Sequence, residues 1–410
     1  MSEMTAMRMR WRFGRWGRLA TIALLAAAWL ACAAWLWRTQ VPSNLRLPRL
    51  DPHAYFSARE LRRTARHDRF LDWDWVTATL AQLAALVVVA RRQPRVPGRP
   101  LLRSMLLACA AVGAAWLVAL PFAFVAHWWQ LRYGIARQGY GAWFLMRLPG
   151  FGESLALAAV AALLLAWLAR RLGRRWWLAG APLVAVLGAL VIALGALLAG
   201  GAPLRDRHLA AEIRRLARAE GVGRVHVEVE RAHKRTRAAN AEAVGIGPTS
   251  RIVLWDTLLD GRFSRPEVRF VAAHELAHLR RRHVWKGLAW FGLFALPGTY
   301  LLARVTERRG GLAEPRAIPL GVLVLFCLQL ALLPAVNVIS RRYEAEADWI
   351  ALHTTNDPAA ATDLFEGFAG VDVEQPSPPT WDYVLLEDHP TLLQRIAMAR
   401  AYRLRRAGAR

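Results

Sequence analysis

The chain has 410 residues, of which 55% are hydrophobic, and it carries a formal net charge of +25. The apolar residues form long blocks with arginines clustered between them, which is typical of repeated membrane spans and excludes an ordinary soluble protein. Arginines beside such blocks anchor helices at the lipid headgroups, so we expect a lipid bilayer as partner and no nucleic acid. Three isolated cysteines exclude a disulfide framework and a thiolate zinc site.

Seven apolar blocks are long enough to cross a bilayer as helices, which takes about 20 residues each. They lie at about residues 19–37, 73–90, 104–126, 152–169, 178–200, 285–303 and 318–338. The first block follows a run of arginines, as in a signal peptide, but its tryptophans favour a retained anchor. We therefore expect a multi-pass integral membrane protein. The excess of arginine, alanine and leucine over lysine indicates a bacterial source and hence the inner membrane.

Residues 201–283, between the fifth and sixth blocks, are polar enough to be soluble. An amphipathic pattern predicts a helix over 209–219, and a second helical pattern covers 270–282. Alternation of polar and apolar residues predicts three short strands, at 225–229, 243–246 and 251–255. After the seventh block the chain is helical again, apart from one proline-rich loop.

The run His274-Glu275-Leu276-Ala277-His278 lies in the second of these helices. Residues i and i+4 project from one face of a helix, so His274 and His278 can bind one Zn²⁺. Glu275 lies beside that face, where its carboxylate can take a proton from the attacking water without binding the metal. His283, five residues after His278, lies off this face, and we expect it at the membrane interface.

A catalytic zinc site needs a third protein ligand. Glu344 and Asp348 follow the seventh block at helical i, i+4 spacing. We predict that Glu344 binds the metal and that Asp348 accepts the ring N–H of a ligand histidine. The alternative is a solvated acidic start of a helix, and this is the interpretation we adopt for Glu346.

With these motifs the sequence resembles the membrane gluzincins of the CAAX prenyl endopeptidase family, which includes the a-factor-converting enzyme. The resemblance rests on the His-Glu-x-x-His motif and on residues 337–348, and it extends more weakly to 55–70 and 132–138. It implies an α-helical integral membrane protein, with seven transmembrane helices enclosing a chamber, joined to a gluzincin-type α+β zinc metallopeptidase domain.

The same resemblance divides the chain into four parts. They are residues 1–200, an N-terminal membrane region with five transmembrane helices; 201–283, the first part of the zinc peptidase domain; 284–340, transmembrane helices six and seven; and 341–410, the second part of the peptidase domain with the third metal ligand and the C-terminal tail.

The resemblance also implies roles for residues outside the metal motif. Asn240 and Ala241 match an edge-strand segment to which an extended substrate can add through backbone hydrogen bonds, although Asn240 could also be a turn residue. His389 would lie at the site and hydrogen-bond the substrate or the developing oxyanion; otherwise it is an ordinary residue at a helix start. Asn337 would bind substrate, and Arg395 would be a structural residue or bind a substrate carboxylate.

The function implied is that of an endopeptidase with one Zn²⁺ per chain and Glu275 as general base. Its substrates would be membrane-associated or lipidated (CAAX-type) polypeptides. A catalytically inactive scaffold is one alternative, but it predicts loss of Glu275 or a ligand, and all are present. A zinc transporter is another, but it predicts such residues within the spans rather than beside them.

The two criteria for orientation disagree. The N-terminus and the second and fourth loops are rich in arginine, and the positive-inside rule therefore places them in the cytoplasm. Five spans separate the N-terminus from the zinc domain, so this rule places the zinc domain outside. The family resemblance implies a site that faces the cytosol. We favour the orientation that the resemblance implies.

Overall fold

The computed structural model describes residues 15–92, 96–198, 200–245 and 247–408. The chain divides into two compact units, Met1–Arg38 and Thr39–Arg410. The described part of the first unit is dominated by helix α1, Arg15–Leu36, on which the first predicted span falls.

Long apolar helices dominate the membrane part of the second unit. They are α2 (Ala58–Arg92), α3 (Pro100–Tyr133), α4 (Tyr140–Leu172), α5 (Trp176–Leu198), α8 (His283–Thr306) and α9 (Ile318–Thr355). A 3-10 turn at Gly173–Arg175 is all that separates α4 from α5.

Five helical stretches in the described residues are long and apolar enough to cross a membrane, because α4 and α5 form one continuous run. The described part of α1 is a shorter apolar helix, Ala23–Leu36. The multi-pass helical architecture is thus confirmed, whereas the predicted count of seven is not. The enclosed chamber and the four-part division of the chain stay predictions.

The soluble part contains a four-stranded mixed sheet. Its strands are β1 (Ala202–Pro203), β2 (His226–Glu230), β3 (Ala241–Val244) and β4 (Arg251–Trp255), in the order β1-β2-β4-β3. Strand β4 runs parallel to β2 and antiparallel to β3. Strand β3 therefore lies at the edge of the sheet, where no further strand of the described residues pairs with it.

Two details of the sheet differ from the prediction. Strand β3 begins at Ala241 instead of residue 243, and the two-residue strand β1 was not predicted. Two residues, Ala202 and Pro203, are too few to show an alternating pattern, and the small side chain of Ala241 contributes only weakly to one.

Five further helices complete the soluble part. They are α6 (Arg207–Ala219), α7 (Arg265–Arg281), α10 (Pro358–Val371), α11 (Thr380–Leu385) and α12 (Leu392–Gly408). Helix α7 begins where the Glu267 carboxylate accepts the Ser264 backbone N–H at 2.6 Å. It is the most buried of these helices, because its apolar side chains join those of β4, α9, α10 and α12 in one core.

Helix α7 ends abruptly at Arg282, which has the left-handed conformation with φ of 55°. The next helix, α8, begins at His283 in a new direction. Helix α9 is 38 residues long, so it continues beyond its apolar stretch and packs alongside α7. These two features bring the polar residues of α7, α8 and α9 together.

Candidate active site

Helices α7 and α9 bring three potential metal ligands to one point. The Nε2 atoms of His274 and His278 are 3.0 Å apart. The carboxylate of Glu344 lies 3.1 Å from Nε2 of His274 and 3.4 Å from Nε2 of His278. In the described part of the chain, these residues form the group of histidine, cysteine and acidic side chains that converges closely enough to hold a metal ion.

The neighbours of the two imidazoles determine where their protons lie. Nδ1 of His274 is 2.9 Å from the Asp348 carboxylate, so that nitrogen donates. Nδ1 of His278 is 3.0 Å from Nδ1 of His283, whose Nε2 lies 3.0 Å from the Glu346 carboxylate. Because His283 donates from Nε2 to Glu346, its Nδ1 accepts from His278. Both ligand histidines are then left with a lone pair on Nε2.

This arrangement fits a bound cation. Two imidazole lone pairs and a carboxylate oxygen face one another, and Oε2 of Glu344 is buried without a hydrogen-bond partner among the described residues. Ligand atoms bound tetrahedrally at 2.0–2.1 Å would lie about 3.3–3.4 Å apart, close to the separations found here. Without a cation the same groups attract protons. Burial alone would lower the pKa of His274, but the Asp348 and Glu344 carboxylates raise it to about 10.

Asp348 is itself held in place by an arginine. The guanidinium of Arg395 donates to both oxygens of Asp348, at 2.7 and 2.8 Å, and stacks over the ring of Phe365. Arg395 lines the cavity at the site, but its Nε and one of its two terminal nitrogens are engaged by Asp348. Of the two predicted roles for Arg395, this geometry supports the structural one.

Glu275 lies next to the convergent ligands and is 8% exposed. Burial raises the pKa of its carboxyl, while the neighbouring His274 and His278 act in the opposite direction. The backbone amide of Ala243 in the edge strand also favours the charged form of Glu275. The carboxylate is therefore positioned between the metal-binding group and the strand along which a substrate could pair.

A cavity of about 310 Å³ connects these residues. Its lining includes the start of the edge strand, with Asn240 and Ala241, together with the three potential ligands, Glu275 and His389. The predicted substrate-binding pair Asn240 and Ala241 thus lies at the site. The backbone of Asn240 is fixed by its carbonyl, which accepts from the Trp255 N–H at 3.0 Å.

His389 reaches the site from the loop before α12. Its Nε2 lies 3.3 Å from Oε2 of Glu344, and its Nδ1 lies 2.7 Å from the Asp388 carboxylate. The side chain is half exposed to the cavity. The structure thus places this residue beside the ligands rather than on a distant helix start.

Asn337 does not lie where substrate binding requires. Its side-chain amide is buried and donates to the Leu385 carbonyl at 2.8 Å, and Asn337 is absent from the cavity lining. Arg341, one turn later on α9, donates to the carbonyls of Tyr383 and Glu387. The structure thus does not bring Asn337 to the cavity with the other predicted site residues: it contacts the end of α11, just before the loop that carries His389.

The structure also corrects the predictions for Glu346 and His283. Glu346 is fully buried rather than solvated, and it binds Arg281 at 2.8 Å, His283 at 3.0 Å and the Gln40 backbone N–H at 2.7 Å. His283 was expected at the membrane interface because a continuous helix would turn it away from His278. The break at Arg282 returns its ring to His278, and no local sequence pattern marks that break.

Comparison with known proteins agrees with this site. The profile of peptidase family M48 matches residues 203–403. A Bacillus subtilis (strain 168) protein described as the uncharacterized metalloprotease YhfN is 28% identical over 298 residues, which cover 69% of this chain and 70% of the relative. The crystal structure of S. mikatae Ste24p has the same fold, with a TM-score of 0.68 at 18% identity, covering 92% of this chain and 97% of that chain.

The family match spans every residue of the convergent site, from the edge strand to α12. It confirms the resemblance drawn from the His-Glu-x-x-His motif and the segment that follows the last apolar block. Residues 203–403 match peptidase family M48, and the chain is a metalloendopeptidase of the membrane.

Proposed function

We propose that the protein is a zinc-dependent endopeptidase that cleaves membrane-associated or lipidated (CAAX-type) polypeptides. The observation that carries the proposal is the convergence of His274, His278 and Glu344 within 3.4 Å of one another, with Glu275 beside them. Two imidazoles and one carboxylate are a donor set suited to catalytic zinc, which keeps a further position for water or substrate. Zn²⁺ bound there would acidify water and polarise the scissile carbonyl.

Glu275 is the proposed general base. It takes a proton from the attacking water and passes it to the leaving amine. Burial of the carboxylate raises its pKa, so it accepts a proton more readily near neutral pH. Its position beside the amide of Ala243 holds it next to a substrate paired with the edge strand.

Strand β3 and His389 are proposed to bind the reacting peptide. The free edge of β3 can pair with an extended substrate, which lets a peptidase recognise a main chain without a particular sequence. His389 donates a hydrogen bond to the developing oxyanion. The Asp388 carboxylate favours the protonated ring of His389 and, against the effect of burial, raises its pKa.

We further propose that the protein is located in a bacterial inner membrane with its site on the cytoplasmic side. Five apolar helical stretches in the described residues support a multi-pass location. Reporter fusions after Arg205 and at the C-terminus test the orientation, because the first point directly precedes the site-bearing segments and the second follows them.

The function is tested with the full-length protein purified in detergent. We expect it to cleave a quenched fluorescent peptide, to lose this activity to a zinc chelator, and to regain it when zinc is restored. The Glu275→Gln variant should keep one zinc per chain without cleaving. Glu314→Gln, at an exposed residue before α9 and outside the cavity, is the matched control and should cleave normally. Chelator-resistant cleavage, or cleavage by Glu275→Gln at the wild-type rate, would refute the proposal.

The two alternatives have less support. An inactive scaffold gives no reason for Glu275 to adjoin a complete ligand set in an open cavity. A zinc transporter requires a polar path through the apolar helices, whereas these residues meet against the soluble sheet. Both alternatives predict no peptide cleavage in the experiment above.

A further inference from the structure

A second cavity lies beside the active site, and all its polar lining residues are acidic. It has a volume of about 340 Å³ and is lined by Asp68, Leu71, Asp72, Asp372, Glu374, Asp382, Leu386 and Glu387. The whole chain has 30 acidic residues against 55 basic ones. Six acids around one cavity therefore run against the overall charge, and we call this feature the acidic cavity.

Two of these acids are buried without a partner. Asp382 on α11 is 2% exposed and Asp72 on α2 is 9% exposed. Among the described residues, neither carboxyl has a hydrogen bond; each has only its burial and the charge of other carboxylates around it. Burying an acid in this way is costly unless a cation or a donor reaches it.

No basic side chain of the described residues supplies that cation. The ion pairs of arginine and lysine among the described residues involve other carboxylates. Asp68 accepts from the neighbouring His67 at 2.7 Å and from the Gln375 backbone N–H at 2.8 Å, and neither partner is an arginine or lysine side chain.

Burial raises the pKa of Glu374 to about 7, against the opposing charges of Arg395 and His389. Burial and the repulsion of other carboxylates raise the pKa of Glu387 to about 8. A cation from outside the chain would relieve this repulsion.

The dimensions of the acidic cavity favour an organic cation over a metal ion. At the active site, ligand atoms of His274, His278 and Glu344 all lie within 4.8 Å of one another, which is close enough to hold one metal ion. Among the described residues, the acids of the acidic cavity do not come together in this way. The volume equals that of about ten water molecules, which is far more than a bare metal ion occupies. An ammonium or guanidinium group on a flexible chain fits such a space.

The acidic cavity adjoins the substrate-binding edge strand. Asp372 accepts the backbone N–H of Ala239 at 2.9 Å, and Ala239 immediately precedes Asn240. Glu387 lies two residues before His389 on the same loop, and the charge of Glu374 acts on both His389 and Arg395. A polypeptide paired with β3 and leaving at its Asn240 end therefore passes this cavity.

We propose that the acidic cavity is a specificity subsite that binds a lysine or arginine side chain of the polypeptide substrate. This basic residue lies in the part of the substrate that extends beyond Asn240. The proposal rests on the proposed peptidase function. It adds that the enzyme selects substrates by a positive charge near the scissile bond.

The first test compares peptides that differ only in charge. A series of quenched peptides carries one lysine, moved along the sequence, and each has a partner with norleucine in its place. We expect the wild type to cleave the lysine peptide at least about tenfold better at one position, measured as kcat/KM. Asp382→Asn and Glu387→Gln should each remove most of this preference without slowing cleavage of the norleucine peptide. Asp363→Asn, an exposed acid on α10, should leave the preference unchanged.

The second test separates this proposal from the peptidase proposal. The Glu275→Gln variant is titrated with the labelled lysine and norleucine peptides, and binding is followed by fluorescence anisotropy. Tighter binding of the lysine peptide, lost on adding Asp382→Asn, supports the subsite even if no peptide is cleaved. Equal binding and equal cleavage of the two peptides would overturn it. So would calcium binding that depends on Asp382 without any lysine preference, since the cavity would then be a metal site.

Discussion

Nδ1 of His283 lies 3.0 Å from Nδ1 of His278, on the side of the ring away from the metal-facing nitrogen. Behind His283, the buried Glu346 carboxylate accepts from its other ring nitrogen at 3.0 Å. This chain of contacts parallels the one that runs from His274 through Asp348 to Arg395. Each ligand histidine is thus oriented by its own buried carboxylate, one directly and one through a second imidazole.

We predict that His283→Ala weakens zinc binding by about 10- to 100-fold, because the tautomer and orientation of His278 are no longer fixed. The affinity is measured by competition with a chromogenic chelator. His226→Ala, an exposed histidine on β2, is the control and should bind zinc as the wild type does. Unchanged zinc affinity in His283→Ala would show that His278 does not depend on this contact.

Arg395→Lys should destabilise the fold by about 1–3 kcal/mol, because lysine cannot reproduce the bidentate contact with the buried Asp348. The KM of Arg395→Lys should be the same for a peptide with a free C-terminus and for the same peptide with an amidated C-terminus, because Arg395 does not bind the substrate carboxylate. Thermal unfolding and steady-state kinetics measure the two quantities. A rise in KM confined to the free carboxylate would instead assign Arg395 to substrate binding.

His389→Ala should lower kcat by about 100-fold while zinc content and KM change little, since the lost hydrogen bond forms in the transition state. Cleavage rates and metal content of the same preparation test this. Equal loss of zinc and activity would place His389 among the groups that hold the metal.

Asp382→Asn should stabilise the protein at alkaline pH. Burial, with the charge of Asp68, raises the pKa of Asp382 from 3.8 to about 6. The folded protein therefore holds this proton more tightly than the unfolded chain, so stability falls as pH rises from about 4 to above 6. Glu374 and Glu387 face the same cavity, and burial raises the pKa of each, so both act in the same sense.

Asparagine avoids this loss, so the melting temperature of Asp382→Asn should exceed that of the wild type at pH 8 by a few degrees. The difference should shrink toward pH 5. A variant that is less stable than the wild type at pH 8 would indicate an attractive contact for the ionised Asp382.

The sequence was sufficient to predict the group of residues that could hold a metal ion, because its evidence is local. His274 and His278 share a helix face, and Glu344 and Asp348 share another, so each pair is defined by 3.6-residue periodicity alone. The long apolar helices were equally evident from composition. The meeting of α7 and α9 required the family resemblance, since nothing in either helix specifies its neighbour.

What could not be predicted depends on breaks and on tertiary contacts. The role of His283 depends on the left-handed residue Arg282, whose type gives no hint of a helix end. Glu346 looked solvated because its partners Arg281 and His283 are 63 or more residues away in the chain. The acidic cavity combines residues of α2 with residues of α11 and its loops, more than 300 positions apart.

The most direct test of the account is to measure zinc content and peptide cleavage together in the wild type and in Glu344→Ala. Glu344 is the one ligand supplied by α9, so it alone reports whether the two helices share an ion. We expect one zinc per chain and cleavage in the wild type, and loss of both in Glu344→Ala. Stoichiometric zinc held with wild-type affinity, with cleavage at the wild-type rate, would contradict the account.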